Sequence, residues 1–168
     1  MKFHSYKSLI VPVIASAVLA ACGGGSENDA DDLVPTLRPA NVVVSNASTA
    51  ALNGTYTTTS INLTQVIKWN PIGAPAETCR FRFSGLQGPN GVLMDGDIRY
   101  RPGTFIVDTM FMSIAGVEFS IAEGSNTSVD RTNNEIDLNG KVFNPDNALQ
   151  RLTLTGSIPM PLGRPEGC

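Results

Sequence analysis

Two pairs of arginines carry the most concentrated chemistry in the chain. Arg80 and Arg82 alternate with Cys79, Phe81 and Phe83, and Arg99 and Arg101 alternate with Ile98 and Tyr100. Alternate residues of a strand share one face, so the four guanidinium groups form a candidate anion-binding face. Each could fork onto a carboxylate or phosphate oxygen pair. Suitable anions are a lipid phosphate, an acidic polysaccharide or a partner's carboxylate. The alternative is a solvated face with long side chains fanned into water. Asp95, Asp97 and Asp108 offer rival chemistry. Carboxylates brought together share a proton or hold a cation, and two in one cleft can hydrolyse a glycosidic bond. Asp130 and Asp137 form a second such pair if they face each other across Asn133-Asn134. Trp69 precedes Asn70-Pro71 in a stretch rich in Pro and Gly. There it would stack on a sugar, anchor a partner or cap the core.

Other chemistries are excluded. Histidine occurs once, at His4, and no Cys-X-X-Cys, phosphate-binding glycine loop or repeat is present. The formal net charge is −3 and the isoelectric point about 5.0. A nucleic-acid binder would be basic, and a polybasic membrane-surface protein is excluded on the same ground. Only 16% of residues are charged, with Thr, Ser, Asn and Gly in their place.

The elements that position the arginines are read from turns. From about residue 41 the chain is rich in Thr, Val, Ile and Phe, broken by Gly, Pro and Asn, with no convincing helical period. Gly88-Pro89-Asn90-Gly91 and Arg101-Pro102-Gly103-Thr104 are turn sequences, and Asn133-Asn134 suits a two-residue hairpin. With Pro89 and Asn90 as loop residues, Phe81 faces Ile98, Phe83 faces Gly96, Arg80 faces Arg99, Arg82 faces Asp97 and Ser84 faces Asp95. With Pro102 and Gly103 as the next loop, Tyr100 faces Phe105, Ile98 faces Val107, Asp97 faces Asp108 and Met94 faces Phe111. Ile106, Met110 and Met112 then point away from the core. A tight turn at Ala115-Gly116 pairs Phe111 with Ser120 and Met112 with Phe119, which conflicts with that second register.

Strands are expected near 54–66, 79–86, 91–101, 104–114, 117–123, 127–132, 135–143 and 149–158, about eight in all. The expected fold is all-β, an antiparallel meander forming an up-and-down β-barrel with a filled interior. A two-layer β-sandwich is the alternative.

The N-terminus reads as an address. Lys2 and Lys7 precede an apolar run over residues 9–21, too short to span a bilayer and shaped like a secretory signal. It ends in Leu19-Ala20-Ala21-Cys22-Gly23. These residues resemble the lipobox of bacterial lipoproteins, with Cys22 at the acylated position. The resemblance covers residues 1–22. It implies cleavage before Cys22, lipidation of Cys22 and anchoring in the cell envelope. Gly23, where the family's inner-membrane retention signal has Asp, favours the outer membrane. Cleavage removes His4, which leaves no Ser-His-Asp triad, no Cys-His pair and no His-ligated metal.

The chain therefore divides into a signal peptide (1–21), a flexible acidic tether after Cys22 (22–40) and one β-rich domain (41–168). Export to an oxidising compartment makes Cys79 and Cys168 a candidate disulfide that would pin the Pro- and Gly-rich tail. The expected function is a non-catalytic binding, scaffolding or structural role in the envelope, with no cofactor and no metal. A protein or glycan of the envelope is the expected partner. A β-barrel carrier of a small apolar ligand and a carboxylate-dependent glycan hydrolase are the alternatives.

Overall fold

The computed structural model describes residues 39–58, 62–70 and 77–168. The signal peptide, Cys22 and the tether expected over residues 1–38 lie outside the described residues. Ten strands follow in order: β1 (Ala40–Ser45), β2 (Gly54–Thr58), β3 (Asn62–Trp69), β4 (Thr78–Gln87), β5 (Leu93–Tyr100), β6 (Val107–Ile114), β7 (Val117–Ile121), β8 (Thr127–Asp130), β9 (Glu135–Phe143) and β10 (Leu152–Pro159). They form a single antiparallel sheet in the order β7-β6-β5-β4-β2-β1-β10-β9-β8, with β3 also paired to β4. The sheet curls into a half-barrel, so the meander is present and two stacked sheets are not. Two sequence expectations change at the start. The reach 54–66 is two strands, β2 and β3, and β1 was not foreseen. Six residues are few for a periodicity argument, yet Ala40, Val42 and Val44 are buried and the residues between them are exposed.

First and last strands pair, Val42 opposite Gly156 and Val44 opposite Leu154. Gly156 permits this closure. A Cβ there would lie 1.9 Å from the Asn41 carbonyl oxygen, and its φ of +128° suits glycine. Inside the curl, Tyr56, Phe81, Phe83, Leu86, Met94, Ile98, Tyr100, Met110, Met112 and Ile114 are almost wholly buried, so large side chains occupy the interior.

The β4–β5 hairpin matches its expected register: Phe81 faces Ile98, Arg82 faces Asp97 and Phe83 faces Gly96. The ring of Phe83 lies over Gly96, where a Cβ would come within 2.3 Å of it. Ser84 does not face Asp95, because a bulge at Ser84-Gly85 shifts the ladder to Leu86 opposite Met94. Gly85 takes φ +87° and donates its N–H to Asp95 Oδ1 at 2.9 Å. The extra residue returns Leu86 to the core face.

The β5–β6 register differs. The connection is the longer loop 101–106, closed by Arg101 N–H to the Ile106 carbonyl at 3.2 Å. Ile98 faces Met110, Asp97 faces Phe111 and Met94 faces Ile114. This is a three-residue slip, and an odd slip exchanges the two faces of a strand. Met110 and Met112 are therefore core, whereas Phe105 (67% exposed) and Phe111 (41%) are outside. Val107 still faces inward, against Tyr100, because the ladder shifts again between Arg99 and Tyr100 and leaves Asp108 bulged. With β6 so placed, the Ala115-Gly116 turn is free of conflict, and Met112 pairs with Phe119. The β8–β9 connection is likewise a four-residue loop, 131–134, not a two-residue turn. Asp130 faces Glu135 and Asp137 faces Ser128, so Asp130 and Asp137 are not a cross-strand pair.

The tail after β10 caps one end of the curl. Cys168 is bonded to Cys79, as expected. Its carbonyl accepts from Tyr100 Oη at 2.8 Å, and the Gly167 carbonyl accepts from Gly103 N–H and Arg131 Nη2, each at 2.7 Å.

Candidate functional site

Three of the four arginines meet on the outer face of β3, β4 and β5, with Asp97 at the centre. Arg80 donates Nε to both Asp97 carboxylate oxygens at 3.1 and 2.8 Å, and its Nη2 also engages Oδ2. Arg82 Nε lies 3.5 Å and Arg99 Nε 3.6 Å from the same carboxylate. Burial works to raise the Asp97 pKa. The hydrogen bonds and charge of Arg80, with the charges of Arg99 and Arg82, outweigh it and hold the carboxyl below its ordinary value. Arg80 is raised, chiefly by its hydrogen bonds to Asp97. One carboxylate thus answers three guanidinium groups.

Two aromatic side chains complete the ledge. Arg99 Cζ stands 4.9 Å from the Trp69 ring centre and 4.9 Å from that of Phe111, and Arg80 Cζ stands 5.6 Å from Trp69. A guanidinium over an aromatic face is held by the ring quadrupole, and this explains how Arg80 and Arg99 stay side by side. They are not fanned into water: Arg99 is 27% exposed and its Nε is buried without a hydrogen-bond partner. Arg82, at 51%, is the more open cation. Beside the ledge, Asp95, Gly96, Asp97, Arg99, Phe111 and Glu118 line a shallow depression of about 330 Å³.

The structure separates other expected partners. Arg101 turns from the cluster and pairs with Asp108, Nε to Oδ1 at 3.0 Å. Asp97 and Asp108 therefore do not meet. Asp95 is engaged by the Gly85 N–H. Trp69 ends strand β3, opposite Thr78, and is not in a loop. Its position was not legible because β3 and β4 are joined by the eight residues 70–77, with no tight-turn sequence to set their register. Phe111 was placed in the core by the expected β5–β6 register, so its role against Arg99 was missed.

A second charged pair had no sequence signal. Lys141 on β9 is 2% exposed. Its Nζ pairs with Glu123 Oε1 and lies 3.3 Å from Ser125 Oγ. Gly140, with φ +74°, sits where the β9–β10 ladder shifts, and this brings Lys141 into phase with the buried face. The Lys141 contact, then the Ser125 hydroxyl and N–H, bring Glu123 down to about 2. The pair bridges the end of β7 and β9, which share no ladder.

Among the described residues, no helix is long and apolar enough to cross a membrane, and no group of three or more His, Cys, Asp or Glu is placed to hold a metal. Comparison with protein-family models, curated proteins and solved structures finds no match.

Proposed function

We propose that this chain is an envelope lipoprotein, anchored by lipid on Cys22 in the outer membrane, whose β domain is a non-catalytic binding module for an anionic ligand. The reading combines the lipobox-like residues with one observation: Arg80, Arg82 and Arg99 share the single carboxylate of Asp97 beside Trp69 and Phe111. The guanidinium groups are presented on strands, and cation–aromatic contacts restrain Arg80 and Arg99, so little ordering is required when an anion binds. A carboxylate-bearing polysaccharide fits a ledge of guanidinium groups flanked by aromatic rings. The acidic stretch before the domain, with Glu27, Asp29, Asp31 and Asp32, serves as a solvated spacer that gives the module reach.

The test expresses the full chain in a bacterial envelope. Mass spectrometry is expected to find acyl chains on Cys22 and none in Cys22→Ala. The detergent-purified chain is expected to bind polygalacturonate, more weakly as salt rises. Arg82→Ala, an exposed change, should weaken binding by about tenfold, the scale of one charge-assisted hydrogen bond. Equal binding of a neutral polysaccharide, or no loss in Arg82→Ala, would overturn the ledge as the site.

A further inference from the structure

Among the described residues, β3, β7 and β8 each have a ladder on one side only. β1 and β10 close one side. Val129 N–H to the Phe105 carbonyl at 3.1 Å ties β8 to the loop before β6. β7 pairs only with β6 among the described residues and comes near β9 without a ladder. Its tight turn makes Ile114 and Val117 the first hydrogen-bonded pair. Backbone groups of Glu118 and Ser120 then point away from β6. The side chain of Asn144 confirms the direction, reaching Ser120 N–H from the far side at a long 3.5 Å. Among the described residues, Glu118 makes no backbone hydrogen bond on that side. Natural sheets blunt such edges most often with lysine, proline or a bulge, and also with other charged residues such as Glu118 here. The sequence Val117-Glu118-Phe119-Ser120-Ile121 contains none of the first three, and Val117, Glu118 and Ser120 are exposed.

The surroundings define what the edge would accept. A groove of about 670 Å³ runs beside it, bordered by Glu118, Glu123 and Asp146. Lys141 is buried and engaged by Glu123, and Arg151 stands at the Val117 end, outside this groove. At one end, Val117 and the almost fully exposed Leu149 line a second depression. Inward-facing Phe119 and Ile121 alternate with outward-facing Glu118 and Ser120.

We infer that the free edge of β7 is a strand-acceptor site for an extended basic segment of a partner polypeptide. The incoming strand would hydrogen-bond the backbone of Glu118 and Ser120. It would place apolar residues beside Phe119 and Ile121, and lysine or arginine beside Glu118 and Asp146. This surface shares Glu118 with the depression beside the arginine ledge, whereas Ser120 belongs to the β7 edge alone, so Ser120→Pro tests the edge separately from the ledge.

The probe is a capped hexapeptide alternating lysine and valine, titrated into the detergent-solubilised full chain, with a glutamate–valine hexapeptide as control. The expected result is slowed amide hydrogen exchange at Glu118 and Ser120 with the basic peptide only. Ser120→Pro removes an N–H that β6 does not use and should weaken binding by at least about tenfold. Glu118→Lys leaves the edge intact but reverses its charge, and should weaken binding several-fold. Exchange unchanged at both amides, or equal protection by the acidic peptide, would overturn the inference. So would protection of those amides without peptide in a concentration-dependent dimer, because the occupant would then be a second copy of this chain.

Discussion

At the scale of single residues, charge placement separates what was legible from what was not. Alternation put Arg80 with Arg82 and Asp97 with Arg99 and Arg101, and the β4–β5 turn brought the two sets onto one face, from which the structure turns only Arg101 away. Lys141 and Glu123 had no such signal, because the burial of Lys141 depends on a bulge and its partner comes from another part of the chain. Their pairing has a pH consequence. The folded-state pKa of Glu123 is about 2, below its ordinary value of 4.5. A depressed carboxyl adds stability above the unfolded-state pKa, and this is lost as pH falls through the folded value. Between about pH 4.5 and 2 the protein should therefore lose stability, and Glu123→Gln should flatten that part of the profile. The same variant should be less stable at neutral pH, since it leaves the buried Lys141 ammonium without its counter-charge. Thermal melting across the pH range reads both effects, and an unchanged acid limb would show that the pair contributes nothing.

At the scale of elements, turn chemistry predicted pairing where the strands ran right up to the turn or where a bulge offset a longer loop. Ala115-Gly116 does so, and its pairing follows; at Gly88-Pro89-Asn90-Gly91 the strands stop at Gln87 and Leu93, and the expected register returns from Phe83 onward because the Ser84-Gly85 bulge offsets the longer loop. At Arg101-Pro102-Gly103-Thr104 the strands stop at Tyr100 and Val107, and the expected register is lost. The three-residue slip moved Phe111 from the core to the ledge and Met110 and Met112 the other way. Local sequence cannot decide between these registers, since β6 has apolar residues on both faces. The Gly156 closure is equally invisible locally. Gly156→Ala would drive a Cβ into the Asn41 carbonyl at a rigid backbone contact and should cost about 2 kcal/mol or more. Gly103→Ala, where nothing lies within 4 Å despite φ +71°, should cost about 1 kcal/mol. Urea denaturation of the two variants checks the order. Equal losses would mean that backbone strain matters and the β1–β10 contact does not.

At the scale of the molecule, the disulfide and tail hold one end of the half-barrel. Cys79 and Cys168 are 89 residues apart, and a closed loop of that length contributes about 4 to 5 kcal/mol in the chain-entropy description. Cys79→Ala/Cys168→Ala should lower unfolding free energy by about 2 to 5 kcal/mol. It should also increase exchange at the Gly103 amide, whose acceptor is the Gly167 carbonyl. Protection at Gly103 in the double variant equal to that of the parent would show that the tail docks without its bond.

The sequence by itself determined the β class, the hairpin that gathers the arginines and the cysteine pairing, because each follows from short-range alternation, turn residues or a small count of thiols. The tertiary structure alone decided the closure of β1 on β10, the half-barrel with its unpaired β7 edge, the register of β6 and the burial of Lys141. Each of these rests on contacts between residues far apart in the chain, where an odd slip or one bulge exchanges inside for outside.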